Sequence, residues 1–364
     1  MSEARSQAEW TEPKVYKIDN EAEVQEFVRY ADIKHVIDPI DHIADDMFEL
    51  RNPSAMDNDA ARAVFVQEVV AEGPSYGGWV HYPWMNAFVH IASPEDHYDM
   101  RTYRNRNLIT KDQQTALHFT RIAAFGLSVG SNVVDRTIQS GIGSEYLLFD
   151  YDRLSPANLN RIQASVAEVG LLKTTIAGRK MAELDPYVQQ QHHITGYDRN
   201  TDDILRANRP DIIIEEVDNL EVKARLRHIA KELKVPLVMA GDVGDKSTLD
   251  IERHDTEEVA PFNGKLTAEQ AEMLRTGAFT SLPSEQKLPI LIQMLGGMEN
   301  ISPELYASEQ LKGIELAGTP QLGTTAAVGG ALTSVAIRDI FLGRDVKSSA
   351  NVVDATEIVG TNRL

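Results

Sequence analysis

The sequence predicts an α/β fold: a mostly parallel sheet flanked by helices, with an N-terminal helical region. Three observations carry this. From Thr120 onward, short apolar runs alternate with helix-spaced stretches. A glycine-containing turn, Gly126-Leu127-Ser128-Val129-Gly130, joins the first such run to the first such stretch. Residues 21–74 instead place apolar side chains at helical spacing throughout.

The elements come in order. Residues 1–20 are polar and read as loose, and residues 21–30, 38–50 and 60–71 read as helices separated by breaks such as Asn52-Pro53-Ser54. Trp79-Val80-His81-Tyr82-Pro83-Trp84 and Ala87-Phe88-Val89-His90-Ile91 are aromatic and β-branched, and read as two short strands. Strands are then expected at 121–125, 146–149, 211–214 and 236–239, with a further one near 248–252. Helices are expected at 131–139, 171–184 and 219–233. This β-α-β order implies right-handed crossovers. Residues 255–322 are less regular, with helical pieces at 267–275 and 285–294, and 326–342 is an apolar helix rich in small residues that should pack on the sheet. The domain reading is a helical region at 1–75 followed by a second domain at 76–364. Within the latter, 119–255 is the core, 255–322 a crossover and substrate region, and 323–345 a C-terminal helix.

Composition narrows the function. The chain has 364 residues, 42% hydrophobic and 25% charged, enough for a sizeable core. Its net charge of −19 repels nucleic acid and anionic membrane surfaces, so neither is expected as a partner. No apolar run reaches the roughly 18–20 residues of a membrane span. The start, Met1-Ser2-Glu3-Ala4-Arg5, has no secretory character, which sets the expectation at the cytoplasm. The absence of cysteine excludes disulfides, cysteine-ligated zinc and a thiolate nucleophile within this chain.

The glycine turn is where a phosphate can bind. Gly126 and Gly130 allow a tight turn and close approach of backbone amides, and the adjoining helix N-terminus adds partial positive charge. Asp150 ends the next strand, where a carboxylate suits a ribose hydroxyl. This is a Rossmann-like arrangement. Ser128 stands near the place of a middle glycine, so the turn alone also fits NAD(P) and an oxidoreductase, or an ordinary strand–helix turn.

The residues beyond the turn point elsewhere. Asp152, Asn158, Arg161, Lys173, Asp218 and Asn219 all sit near the C-terminal ends of predicted strands, where open parallel sheets bind ligands. One carboxylate is enough for NAD. An Asn, an Arg, a Lys and a second Asp around one mouth suit a triphosphate with Mg²⁺. Taken singly, Arg161 and Lys173 also read as surface charges, and Asp218-Asn219 as a helix N-cap.

With these residues in order, the chain resembles the ThiF/MoeB and ubiquitin-activating enzyme family. The resemblance rests on Asp150-Tyr151-Asp152, Asn158-Leu159-Asn160-Arg161, Gly170-Leu171-Leu172-Lys173 and Val217-Asp218-Asn219. Arg104-Asn105-Arg106-Asn107 upstream and Pro236-Leu237-Val238-Met239-Ala240-Gly241 downstream extend it. It implies Mg²⁺–ATP-dependent adenylation of a carboxylate with release of pyrophosphate. The acid would be the C-terminus of a peptide or small protein, or a small molecule. On the implied roles, Arg161 and Lys173 hold phosphate oxygens, Asn158 binds ribose or phosphate, and Asp218 holds Mg²⁺. Gly126, Ser128 and Gly130 cradle phosphate, Asp150 takes the ribose, and Asp152 and Asn219 complete the nucleotide mouth. The family is commonly dimeric, so a homodimer is expected, with Arg106 reaching the γ-phosphate from a second subunit.

The sequence departs from the family in two places. The glycine loop is one residue shorter, with Ser128 in place of a glycine, and no cysteine is present to carry a thioester. The activated acid must then pass to a nucleophile outside this chain. A catalytically silent nucleotide- or partner-binding module is the other reading. His192-His193, His228 and His254 lack partners spaced for zinc, and Trp79, Tyr82 and Trp84 read as packing residues.

Overall fold

The computed structural model describes residues 10–360, and the chain forms two compact units. The first comprises the described part of Met1–Thr115 together with Gln139–Gly141 and Arg179–Val188. The second comprises Ala116–Ile138, Ile142–Gly178 and the described part of Gln189–Leu364. Of the segment expected to be loose, residues 1–9 lie outside the described residues, and residues 14–16 form a strand.

In the first unit the helices read from sequence are present as Glu21–Tyr30, Ile40–Arg51 and Asp59–Ala71. Asn20 and Asn58 cap the first and third by accepting the backbone N–H of Glu23 and Ala61. The predicted aromatic strands form β3 (Gly78–Tyr82) and β4 (Ala87–Ile91), an antiparallel hairpin. Two further strands, β1 (Lys14–Tyr16) and β2 (His35–Ile37), complete a sheet of order β1-β3-β4-β2. At three residues each they are too short to show an alternating pattern. Strands from both sides of residue 75 therefore share one sheet. Trp79 and Phe88 are buried with Val24 and Ile33 behind this sheet. His90 is fully buried, stacked on Trp79 at 4.5 Å. Its Nε2 donates to the Tyr76 carbonyl and its Nδ1 lies 2.8 Å from Asp38 Oδ1, which makes it structural.

The second unit carries a seven-stranded sheet of order β11-β10-β9-β8-β5-β6-β7. Its strands are β5 (Arg121–Phe125), β6 (Glu145–Phe149), β7 (Gln189–His193), β8 (Ile212–Glu215), β9 (Leu237–Val243), β10 (Lys246–Glu252) and β11 (Ser349–Asp354). β5 to β9 pair in parallel, and β10 and β11 run antiparallel to their neighbours. The first three parallel strands lie to one side and β8 and β9 to the other, which is the doubly wound arrangement with its switch point between β5 and β8. Helices Val129–Gln139, Lys173–Leu184, Thr201–Ala207 and Leu220–Leu233 come after β5, β6, β7 and β8 in turn. Each strand expected from the sequence in this region is present within a few residues.

Two elements here carry little apolar signal. β7 reads Gln-Gln-Gln-His-His, and as the last strand in the sheet it needs only backbone pairing with β6 on one side. Gly178 makes room for it, since a Cβ there would lie 2.3 Å from the His192 ring. β11 is the opposite edge and is largely exposed. The small-residue helix packs as expected. Gly323–Phe341 lies on β9 and β10, and a side chain on Gly329 would meet Ser247 Oγ and Ala240 Cβ at 2.9 and 3.0 Å. No described helix is long and apolar enough to cross a membrane.

Candidate functional site

The C-terminal ends of β5, β6 and β8 open into a cleft of about 700 Å³, counting its open mouth. Lining it are the glycine loop from Gly126 to Ser128, the Asp150-Tyr151-Asp152 turn, Lys173, Gly196 and Tyr197, and Glu216 to Asn219. This is the switch point, where the doubly wound fold binds ligands. Gly126, Ser128, Asp150, Asp152, Lys173, Asp218 and Asn219 all meet here.

The loop has its shape for a steric reason. Gly126 has φ +82°, and a Cβ there would sit 2.3 Å from the Glu216 carbonyl oxygen. Gly130 lies in the first turn of its helix, where a Cβ would be 3.1 Å from Glu216 Cγ. Both glycines let the loop lie against the end of β8.

Asp150 is buried, and both its oxygens are engaged. Oδ2 accepts the Leu127 N–H at 2.6 Å and Oδ1 the Asp152 N–H at 2.7 Å. It thus ties the glycine loop to the β6 turn, with one lone pair per oxygen left over. Burial pushes its pKa up, and Lys173 opposes that rise. Lys173 is buried to 7% exposure and donates to Asp152 Oδ2 at 2.7 Å, while its amide donates to the Asp152 carbonyl.

Arg161 is placed differently. Its Nε donates to Ser128 Oγ at 3.0 Å, and its Nη1 to the Ala157 carbonyl and Asn160 Oδ1. Among the described residues it has no carboxylate in ion-pair range, so a cation is held beside the glycine loop without a counter-charge. Asn132 fixes the backbone beneath it by donating to the Arg161 carbonyl. Asn158 uses Oδ1 to accept the Ser155 N–H, closing a capping box.

On the β8 side, Asn219 caps its helix by accepting from Glu221 and Val222, as the N-cap reading expected. Asp218 is exposed and makes no hydrogen bond or ion pair among the described residues. Asp242, at the end of β9, accepts from Gln321 at 3.1 Å through one oxygen, while the other is buried without a partner among the described residues. Burial raises its pKa; the charge of Arg161 lowers it and that of Asp218 raises it. Hard oxygen donors of this kind suit Mg²⁺, and Asp218 is the one that lines the cleft.

Arg106 belongs to the first unit, where it stacks over Tyr103 at 4.3 Å and lies 3.6 Å from Asp99.

Sequence reasoning missed several lining residues. Tyr151 lies within the quoted motif, yet it is 68% exposed and its ring rests on Gly196, where a Cβ would be 2.7 Å from Tyr151 Cδ1. Gly196 and Tyr197 come just after β7, the strand without an apolar pattern. Glu216 is a second carboxylate two residues before Asp218. Burial of its carboxyl drives the pKa up, and it accepts the Ala240 N–H at 2.6 Å.

The fold and this cleft define a Rossmann-like α/β protein with an open cleft at the switch point of its sheet. More specifically, the chain belongs to the ThiF family, whose model matches residues 102–358. It is 34% identical over 280 residues to "Uncharacterized protein MT1398" of Mycobacterium tuberculosis, covering 76% of this chain and 38% of that one. It is 29% identical over 156 residues to the tRNA threonylcarbamoyladenosine dehydratase of Haemophilus influenzae, covering 42% of this chain and 59% of the relative. The chain thus spans less than two thirds of the length of either relative. Among solved structures, E. coli tRNA N6-threonylcarbamoyladenosine dehydratase in complex with AMP aligns at TM-score 0.49 and 18% identity, over 67% of this chain and 95% of that one.

Proposed function

We propose that the protein is an ATP-dependent adenylyltransferase acting on a carboxylate. A single observation carries the reading: one cleft at the switch point collects a glycine loop, a buried lysine and an exposed carboxylate, and Ser128 of that loop holds Arg161, a cation with no carboxylate in ion-pair range among the described residues. Family membership supports it.

On this reading the triphosphate lies along Gly126–Gly130, with amides of the loop and the helix N-terminus facing its oxygens. Arg161 and Lys173 neutralise charge that builds up as an oxygen of the acid attacks the α-phosphorus. The bond from that phosphorus to the bridging oxygen of pyrophosphate breaks, and pyrophosphate leaves as the acyl-adenylate forms. Lys173 exchanges Asp152 for phosphate as it does so. Asp218 would hold Mg²⁺, which supplies charge neutralisation at the phosphates. Asp152, Asn158 and Asn219 would meet the ribose and phosphates. Asp150 contributes chiefly by fixing the loop. The acid is a peptide or small-protein C-terminus or a small molecule, and a second copy of the chain would supply Arg106.

The test is ATP–pyrophosphate exchange across a panel of such acids. Lys173→Ala and Asp218→Ala should each lower exchange by about 100-fold or more, in line with loss of a charged group acting in the transition state. Full exchange in both variants would sink the assignment.

A further inference from the structure

We infer that Ser128 is a positioning residue for Arg161, and that the pair forms a phosphate-binding unit beside the glycine loop. The inference rests on the ATP reading above.

Arg161 Nε donates to Ser128 Oγ at 3.0 Å, and two further bonds from Nη1 end on the Ala157 carbonyl and Asn160 Oδ1. All three acceptors are uncharged. The guanidinium is therefore held through Nε on one side and through Nη1 on another, with no carboxylate in ion-pair range among the described residues. It carries five N–H donors, and those on Nη2 have no partner among the described residues. A planar fork held in this way leaves the Nη2 end to meet an anion.

Ser128 has a matching arrangement. Its hydroxyl oxygen accepts from Arg161, and its single proton makes no hydrogen bond within the described residues, so it can be donated into the cleft that Ser128 lines. Its carbonyl is held separately by the Ser131 hydroxyl at 2.8 Å, which fixes the loop backbone.

The platform beneath Arg161 is rigid for steric reasons. Asn132 holds the Arg161 carbonyl at 3.0 Å, and Asn160 donates to the Gln321 carbonyl at 2.7 Å. Gly323 fits only because it has no side chain, since a Cβ would lie 2.0 Å from the Asn160 carbonyl oxygen. A glycine at position 128 would leave Arg161 Nε without its acceptor. The serine supplies that acceptor and one donor, two groups that a glycine side chain cannot provide.

The experiment is a double-mutant cycle read by calorimetry with ATP and with adenosine. Ser128→Ala and Arg161→Ala should each weaken ATP binding by roughly tenfold to a hundredfold, the range for a charge-assisted hydrogen bond, and leave adenosine binding unchanged. The double variant should lose less than the two single losses added together, because part of what the serine does is done through the arginine. Arg161→Lys, which keeps the charge but loses the fork, should weaken ATP binding nearly as far as Arg161→Ala. Thermal melts of each variant check that the fold is retained. Wild-type ATP affinity in Ser128→Ala, or additive losses in the double variant, would overturn the inference while leaving the ATP reading standing. Failure of the wild type to bind ATP at all removes both.

Discussion

At the scale of single residues, the site is built by side chains that constrain backbone as much as by those free to meet a ligand. Asp150 shows this: its carboxylate uses one lone pair per oxygen on the amides of Leu127 and Asp152. The sequence placed it correctly at the end of β6, but which amides it meets there depends on how the two loops fold together. Gly126 is the converse, a residue whose function is an absence. Gly126→Ala should destabilise the protein by about 2–4 kcal/mol, because a positive φ and a Cβ 2.3 Å from the Glu216 carbonyl oxygen must both be accommodated. Thermal unfolding gives the loss of stability, and calorimetry with ATP should show weakened binding as the loop moves off β8. An unchanged melting temperature would mean that the loop does not depend on this glycine.

At the scale of elements, a buried ion network holds the β8 end that carries Asp218. Glu215 Oε1 accepts the Val217 N–H at 3.0 Å and Lys223 Nζ at 2.8 Å, and its Oε2 accepts Arg227 Nη1 at 2.8 Å. Arg227 continues to Glu252 at 2.7 Å and stacks on Phe262 at 4.0 Å. Burial penalises the charge on Glu215, but Lys223 and Arg227 outweigh that penalty and hold its carboxyl below the ordinary range. Glu215→Gln leaves two cations under-compensated and should cost about 3–5 kcal/mol in urea unfolding. A cost under about 1 kcal/mol would mean that the network relaxes or admits water. None of this coupling is legible in the sequence. Glu215, Arg227 and Glu252 belong to three separate elements, and each alone reads as an ordinary charge. The strands and helices themselves were legible wherever burial imposed a period. β7 was not, because an edge strand paired through its backbone needs no apolar residues.

At the scale of the whole molecule, stability should depend on pH through His192, on β7. Burial, with His193 adding to it, lowers its pKa from 6.5 to about 4. The unfolded chain therefore takes up a proton below about pH 6.5, while the folded chain resists until about pH 4. The stabilisation is fully present above about pH 6.5 and is lost as pH falls through that window, by up to about 3 kcal/mol. Urea unfolding at about pH 7 and about pH 5 should show a smaller loss of stability in His192→Gln than in the wild type, and equal losses would remove His192 as the cause. The sequence by itself determined a mostly parallel α/β sheet from residue 120 onward without its edge strands β7 and β11, the glycine loop, and the order of Asp150, Asn158, Arg161, Lys173 and Asp218. Periodicity and turn chemistry are local, and strand ends in this fold always face the same mouth. Only the tertiary structure decided which charges are free. Lys173 is paired with Asp152, Arg161 is tied to Ser128 without a counter-charge, and Asp218 is open to the cleft. Pairing depends on distances between segments far apart in the chain, and those distances are set by packing rather than by sequence spacing.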